Sequence, residues 1–181
     1  MTAASIMLGA LRGGLKAFRR WLVCEEGAAA AEFALIAVPF VALLAAMTQT
    51  ALVFFAGQVL QASTSEAGRL VMTGRAQGMT ATQFQQAVCS NAGGFFTCGK
   101  LQVNVQTYAS FASATQSSPI KNGKLDTTGF GFNPGTPGQI EVVQVFYPWP
   151  VGTDMLGLHL ADVNGDSNLL AATSVFRNEP Y

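Results

Sequence analysis

A single glutamate, Glu32, opens a long apolar run and follows Gly27 by five residues. The four residues between them are all alanine, and the next charged residue is Glu66. A cut after Gly27 would create an amine on Ala28, about one helical turn from the Glu32 carboxylate. That amine and the carboxylate can pair within one chain or between neighbouring subunits. Two simpler interpretations need no cut: an acid at lipid headgroup level, or a first-turn acid favoured by the helix dipole.

The apolar run after Glu32 predicts a membrane-spanning helix. Residues 33–47 have no polar side chain, and 34–56 are interrupted only by uncharged residues at 48–50. A spanning helix needs about 20 predominantly apolar residues. We therefore predict a span over about 34–56 inside a long helical segment, 28–78, that is helical to about residue 72. A buried helix in a soluble core is the alternative, and the length of the charge-free span argues against it.

A basic leader, residues 1–27, precedes this helix. Its basic residues are Arg12, Lys16, Arg19 and Arg20. A secretory signal would place the small-residue cleavage site after its apolar core, whereas here the small residues come before the core. A cut near Gly27 would leave the apolar segment on the mature chain. Basic residues favour the cytoplasmic side, so we predict a single-pass inner-membrane protein with residues 79–181 in the periplasm.

The composition fits a membrane-anchored chain of about one domain. Charged residues make up 11% of the 181 residues, against about 25% in an average soluble domain. The net charge is zero, so nothing indicates a general attraction to nucleic acid.

The residues beyond the membrane predict a small α+β domain. A short helix through 83–88 is capped by Thr80 or Thr82, and alternating or β-branched segments predict strands. The predicted strands are 101–107, 140–147 and 169–177. Pro148 and Pro150 are expected to end the second strand, and 112–138 is predicted to be a long loop. This order predicts an antiparallel sheet laid against the long helix.

Two cysteines, Cys89 and Cys98, are close enough in sequence to form a disulfide bond in an oxidising compartment. Gly93 and Gly94 between them allow the chain to reverse. The third cysteine, Cys24, is in the leader. Three free thiols are the alternative, and a redox-active pair is disfavoured because the spacing is not C-x-x-C.

No pattern in the sequence predicts a catalytic or metal site. His159 is the single histidine and has no ligand residues at metal-binding spacing. Three oxygen-bearing residues resemble the start of a calcium loop, but the glycine comes one place early and the twelfth position is Thr173, so a polar turn is the better interpretation. These three are Asp162, Asn164 and Asp166. We expect no enzyme activity, no cofactor, no metal and no small-molecule substrate.

A set of aromatic residues in the second half of the chain has two interpretations. Its members are Phe130, Phe132, Phe146, Tyr147 and Trp149. They can form an exposed surface for a partner, or they can fill the core of the domain. Core packing is the preferred interpretation, because large aromatic side chains dominate protein cores.

Residues 27–33, Gly-Ala-Ala-Ala-Ala-Glu-Phe, resemble a type IV prepilin processing site. The continuation at 31–40, Ala-Glu-Phe-Ala-Leu-Ile-Ala-Val-Pro-Phe, is similar to TadE-like proteins of the tight-adherence (Tad/Flp) pilus system. Further segments look like TadE-type pseudopilins. They are Cys98, 101–108, 129–135, 143–147 and 172–181.

This resemblance implies a pilin-like fold and a role in pilus assembly. A prepilin peptidase would cut between Gly27 and Ala28, and Glu32 would become position five of the mature chain, followed by Phe33. Implied partners are that peptidase, other pilins or pseudopilins, and Tad inner-membrane assembly proteins, and the chain could enter an extracellular pilus. The alternative function is an uncleaved, signal-anchored periplasmic binding or sensor domain, in which Glu32 is incidental.

Overall fold

A computed structural model describes residues 25–114, 119–151, 161–163 and 166–181. The chain divides into two compact units, Met1–Ala46 and Met47–Tyr181. Within the first unit, the described residues 25–46 are helical throughout. The second unit holds every strand that the structure describes.

Seven main elements follow one another along the described residues. The helices are α1 (Glu25–Met72) and α2 (Ala81–Asn91). The strands are β1 (Gln102–Tyr108), β2 (Ile120–Lys121), β3 (Lys124–Leu125), β4 (Ile140–Pro150) and β5 (Ser167–Arg177). Single 3₁₀ turns cover Cys98–Lys100 and Phe111–Ser113.

The main sheet has three antiparallel strands in the order β1-β4-β5. Strand β4 lies in the centre, where Val105 of β1 faces Val143 and Val145 faces Ala172 of β5. These four side chains are fully or almost fully buried. The long helix α1 packs against this small antiparallel sheet, which confirms the predicted α+β fold.

The part of α1 that packs on the sheet presents a stripe of mostly small residues. Ala56, Leu60, Ala67 and Val71 are completely buried at helical spacing. Ser63 and Thr64 are buried beside them, and their hydroxyls donate to the carbonyls of the residues four positions earlier, at 2.7 and 2.8 Å. The helix therefore satisfies its own buried hydroxyl groups, so they need no partner in the sheet.

The end of α1 depends on a glycine. Gly74 has a φ of +74°, and the Ala76 amide donates to the Leu70 carbonyl at 2.8 Å across the turn. This is the usual left-handed termination of a helix. A Cβ at Gly74 would also lie 2.5 Å from the ring of Tyr181, so the same glycine makes room for the C-terminal residue.

Helix α2 extends further than the predicted 83–88, and Thr80 is its N-cap. The Thr80 hydroxyl accepts from the Gln83 amide, and the Gln83 side chain accepts from the Thr80 amide. This reciprocal capping box satisfies two amides that the first turn would leave unpaired.

The prediction that prolines end the second strand at Tyr147 is wrong, because β4 continues through Pro148 and Pro150. Their register partners are in β5. Pairing between β4 and β1 stops at Phe146, and both proline nitrogens face that unpaired side. No ladder hydrogen bond is lost there, which is the condition under which proline is tolerated in a strand.

The prediction of a long loop over 112–138 is also wrong in part. Strands β2 and β3 form a hairpin joined by Asn122 and Gly123, with φ values of 53° and 68°. Two left-handed residues in succession make the turn type that matches strand twist, and Asn-Gly is its preferred sequence. The loop sequence contained this signal.

Candidate functional site

The Gly27–Glu32 segment lies in the first turns of α1, in the first unit. Gly27 and Ala28 are helical, and the spacing from Ala28 to Glu32 is about one turn, roughly 6 Å along the axis. The side chains of Glu32 and Phe33 are both exposed, Phe33 by 73%. Cleavage after Gly27 and pairing of the new amine with Glu32 stay predictions.

The apolar surface of the first unit is almost entirely uncovered. Its exposed large side chains are Phe33, Leu35, Ile36, Val38, Phe40, Val41, Leu43 and Leu44. By length and composition, residues 29–72 form a helix able to cross a membrane, with a mean hydropathy of 2.2 in its most apolar window. Such a surface is unfavourable in water and favourable in lipid.

In the second unit the exposed apolar surface of α1 continues for a short distance. Met47, Leu52, Phe54 and Phe55 are exposed, Phe54 by 70% and Phe55 by 55%. From Ala56 to Met72 no large hydrophobic side chain of the helix is exposed. The surface of α1 therefore changes after Phe55, from large exposed apolar side chains to side chains that are buried against the domain.

Cys89 and Cys98 form a disulfide bond. It ties the C-terminal turn of α2 to the start of the chain that leads into β1, and it closes a short loop that carries Phe95 and Phe96. The Gln85 side chain reinforces this loop by donating to the carbonyls of Cys98 and Leu101 at 2.7 and 2.6 Å.

An aromatic cluster surrounds that loop. Its members are Phe55, Phe95, Phe96, Tyr147 and Trp149. Phe96 and Tyr147 are buried, with ring centroids 4.7 Å apart, and Phe95 lies outside them, 38% exposed. The cluster thus has an inner part that belongs to the core and an outer part that does not.

The other aromatic residues singled out in the sequence pack against the domain. Phe132 contacts Phe84 of the core with ring centroids 5.3 Å apart, and Phe130 stacks on the buried Phe146, also at 5.3 Å. The interpretation as core packing is therefore confirmed for Phe132, Phe146 and Tyr147, whereas Phe130 is half-buried on the outer side of Phe146.

Two of the three residues that resemble a calcium loop, Asp162 and Asp166, lie next to the start of β5. Asp162 Oδ1 accepts from the Leu169 amide at 2.7 Å, and Val163 pairs with Ser167 at the start of β5. Asp166 Oδ1 accepts from the Ser167 hydroxyl at 2.9 Å. Both carboxylates thus support the turn into β5, while Asn164 and His159 lie outside the described residues.

Sequence reasoning missed Glu141, a completely buried carboxylate on β4. Its Oε1 accepts from the Thr107 hydroxyl at 3.0 Å, and within the described residues its Oε2 has no hydrogen-bond partner. Burial raises the pKa of Glu141 to about 7, against the smaller opposing effect of the Thr107 hydrogen bond. The signal was available, because Glu141 shares its strand face with Val143 and Val145.

The loop over Glu141 packs closely on the carboxylate. A Cβ at Gly135 would overlap the Glu141 carboxylate, and Asn178 fastens the same loop by donating to the carbonyls of Pro134 and Thr136 at 3.0 and 3.2 Å. Glu141 is therefore part of the packing of the domain, and its burial shifts its equilibrium toward the protonated form.

A polar cleft lies on the face of the sheet that points away from Glu141. The polar side chains that line this cleft form hydrogen bonds with one another. Its volume is about 140 Å³. Asn104 donates to Gln144 and accepts from Gln106, both at 3.0 Å. At its rim Lys121 pairs with Asp126, and this hydrogen bond holds the pKa of Asp126 well below its usual range. The amide groups satisfy one another, which is the behaviour of a structural network.

Comparison with known proteins identifies a family for the N-terminal segment only. No curated protein matches the chain, and no solved structure matches it. The family model described as TadE-like protein matches residues 27–69. The match begins at Gly27, includes Glu32 and the apolar surface, and ends within the part of α1 that packs on the sheet. Residues 27–69 of this chain are thus a TadE-like segment, which confirms the resemblance over that stretch.

Proposed function

We propose that this chain is a minor pilin or pseudopilin that acts in assembly of a tight-adherence type IV pilus. The observation that carries the proposal is the TadE-like segment itself. A glycine, four alanines and a glutamate open an apolar helix whose surface up to Phe55 is bare. The chain supplies no catalysis in this proposal, and its partners are a prepilin peptidase, other pilins and the inner-membrane assembly proteins.

The proposed maturation follows from the position of Gly27. A membrane peptidase cuts between Gly27 and Ala28 on the cytoplasmic side and removes the basic leader. The apolar helix stays on the mature chain and keeps it in the inner membrane, with the disulfide-bonded domain in the periplasm. The cut also removes Glu25 and Glu26, so that Glu32 becomes the first acid of the mature chain.

The proposed assembly step uses the charge at the helix start. An ionised carboxylate in an apolar environment is unfavourable by a few kcal/mol. The new amine on Ala28 of the same or a neighbouring chain neutralises Glu32. Helices that leave lipid and pack side by side bury their apolar surfaces against each other, and the charge pair fixes their register.

Processing is tested in cells that contain the peptidase. Gly27→Val should leave the full-length chain, because a bulky side chain blocks the cut, whereas Gly14→Val in the leader should be processed normally. Intact mass of the membrane-extracted protein measures both, and loss of residues 1–27 is the expected result for the native chain. A native chain that still begins at Met1 would contradict the maturation step.

The role of Glu32 is tested by Glu32→Gln against Glu26→Gln. Glu26 lies on the other side of the cut, so its loss should not change assembly, whereas Glu32→Gln should reduce recovery of pili or of the assembled complex by about tenfold or more, in line with an ion pair worth more than 1 kcal/mol in an apolar setting. Equal assembly by both variants would favour the uncleaved sensor or binding domain.

A further inference from the structure

The sheet of the second unit has a defined direction relative to the part of α1 that it covers. The Gln61 side chain donates to the Thr173 carbonyl at 3.0 Å and accepts from the Thr173 amide at 3.2 Å. Further along, a Cβ at Gly68 would lie 3.1 Å from the Phe176 ring, and the Glu179 amide donates to the Met72 carbonyl at 2.9 Å. Strand β5 therefore runs in the same direction as α1.

This direction determines which end of the sheet lies beside Phe55. Since β5 and α1 advance together, the start of β5 lies toward the earlier residues of the helix. Strand β4 is antiparallel, and its last residues, Trp149 and Pro150, pair with Asn168 and Ser167. The Trp149 end of the sheet is consequently the end nearest to Phe55.

Aromatic contacts connect this end of the sheet to the helix. The rings of Phe55 and Phe95 meet edge to face with centroids 5.4 Å apart. Phe95 stacks on Trp149 at 5.6 Å with an interplanar angle of 12°. Phe55 is the last exposed large apolar residue of α1, so these rings lie at the level where the lipid-compatible surface of the helix ends.

The outer rings lie at the edge of the core. Phe96 and Tyr147 belong to the core and are 4% and 5% exposed, and Trp149 packs against it partly buried. Phe95 lies over them and keeps more than a third of its surface open. Tryptophan, which has an apolar body and a polar N–H, is enriched at the membrane–water interface, and the exposed rings of Phe55 and Phe95 add apolar surface beside Trp149.

We propose that the Trp149 end of the domain rests on the periplasmic surface of the lipid bilayer, with Phe55, Phe95 and Trp149 in the headgroup layer. The membrane-anchored state belongs to the proposed function, and this contact adds a fixed orientation of the domain on the lipid. Asp162 and Asp166 border the same end through their bonds to the start of β5. These carboxylates keep the contact shallow and favour zwitterionic over anionic lipid.

Tryptophan fluorescence provides the test, because the chain has two tryptophans, Trp21 and Trp149. The full chain with Trp21→Phe is reconstituted in phosphatidylcholine vesicles that contain lipid brominated at a shallow or a deep acyl position. Bromine quenches a tryptophan that touches the lipid. We expect Trp149 to be quenched, and more strongly by the shallow bromine.

The control reporter is Phe111→Trp in a chain that also carries Trp21→Phe and Trp149→Phe. Phe111 is 60% exposed and follows β1 at Tyr108, which pairs with Ile140 at the far end of β4. The length of β4 separates the two reporters by roughly 30 Å. Quenching of Trp149 should exceed that of the Phe111→Trp reporter by about threefold or more, given the depth of the interface layer.

Two further measurements separate the possible failures. Alkaline carbonate extraction of the same vesicles reports whether α1 is inserted. If the chain is inserted and the two reporters are quenched equally, the surface contact is overturned while the membrane anchor stands. If the chain is extracted, both are overturned. Phe95→Asp should lower the quenching of Trp149, and Phe111→Asp should not.

Discussion

The two stretches of α1 on either side of Phe55 have opposite surfaces. Residues 33–55 are mostly large, apolar and exposed, whereas 56–72 bury small apolar residues and two hydroxyls against the sheet. Both stretches lack charge over most of their length, so hydropathy alone makes them look continuous. The size of the side chains distinguishes them. Small residues let a sheet approach the helix, and large ones cover a helix that meets lipid.

The difference shows how one helix serves two environments. In the covered stretch, Gly68 allows close approach to Phe176, and buried hydroxyls bond to the helix itself. In the bare stretch, the large apolar side chains have no sheet to pack on, and lipid or a neighbouring helix can cover them. We therefore expect substitutions on the covered stretch to change folding stability, and substitutions on the bare stretch to change insertion and assembly.

Leucine truncation gives the largest expected contrast between the stretches. Leu60→Ala removes a completely buried side chain and should lower the free energy of unfolding by about 2–5 kcal/mol, the usual range for such a cavity. Leu52→Ala, at a 48% exposed position, should change it by less than about 0.5 kcal/mol. Unfolding in detergent micelles is followed by Trp149 fluorescence in a Trp21→Phe background. Equal losses would contradict the assignment of the two surfaces.

The pH dependence of the free energy of unfolding tests whether the folded domain excludes water from the Glu141 carboxylate, on the face of the sheet that covers α1. Burial raises the pKa of Glu141 from 4.5 to about 7, so the folded chain keeps a proton that the unfolded chain releases. Its contribution is fully present below pH 4.5, is lost as the pH rises toward 7, and is then constant. The loss amounts to about 3 kcal/mol at most.

Glu141→Gln should remove that slope, because the amide keeps the acceptor for Thr107 and does not titrate in this range. Unfolding by urea at intervals from pH 4.5 to 8 measures it. Glu179→Gln is the matched control at an exposed position and should keep the native profile. A native profile that rises with pH through this window would refute a buried, protonated Glu141.

The disulfide braces the boundary between the two stretches, because its loop carries the Phe95 ring that touches Phe55. Replacing both Cys89 and Cys98 by alanine should lower the free energy of unfolding by about 2–3 kcal/mol for a loop of this length. Cys24→Ala in the leader should have no effect. If the double variant is unchanged, the bond does not constrain the domain.

The sequence predicted the elements of this fold better than their contacts. Alternation located the strands around Val105, Val143 and Ala172, because a half-buried strand records its environment in every second residue. The continuation of β4 through its prolines was not predictable, since it depends on where β1 stops. The Asn122-Gly123 hairpin was predictable, because Asn-Gly is the preferred sequence for its turn, and the burial of Glu141 was predictable from its alternation with Val143 and Val145. The Gln61–Thr173 contact was not, because nothing local links residues 112 positions apart.

The Gln61–Thr173 contact allows the prediction with the smallest expected effect, which tests how the edge of the sheet is held on the covered stretch of α1. Gln61 caps the outward edge of β5, where the Thr173 amide and carbonyl face away from β4 and no strand of the described sheet pairs with them. Gln61→Ala should lower the free energy of unfolding by about 1–2 kcal/mol, the net value of two hydrogen bonds, and Gln58→Ala at an exposed position of the same helix by less than about 0.5 kcal/mol.

Gln61→Glu separates the two bonds, because a carboxylate accepts from the amide but cannot donate to the carbonyl. An intermediate loss, together with protected hydrogen exchange at the Thr173 amide, is the expected result. If Gln61→Ala costs no more than Gln58→Ala and leaves hydrogen exchange at the Thr173 amide unchanged, the edge is not held by this side chain, and the apolar stripe from Ala56 to Val71 alone fixes the sheet on the helix.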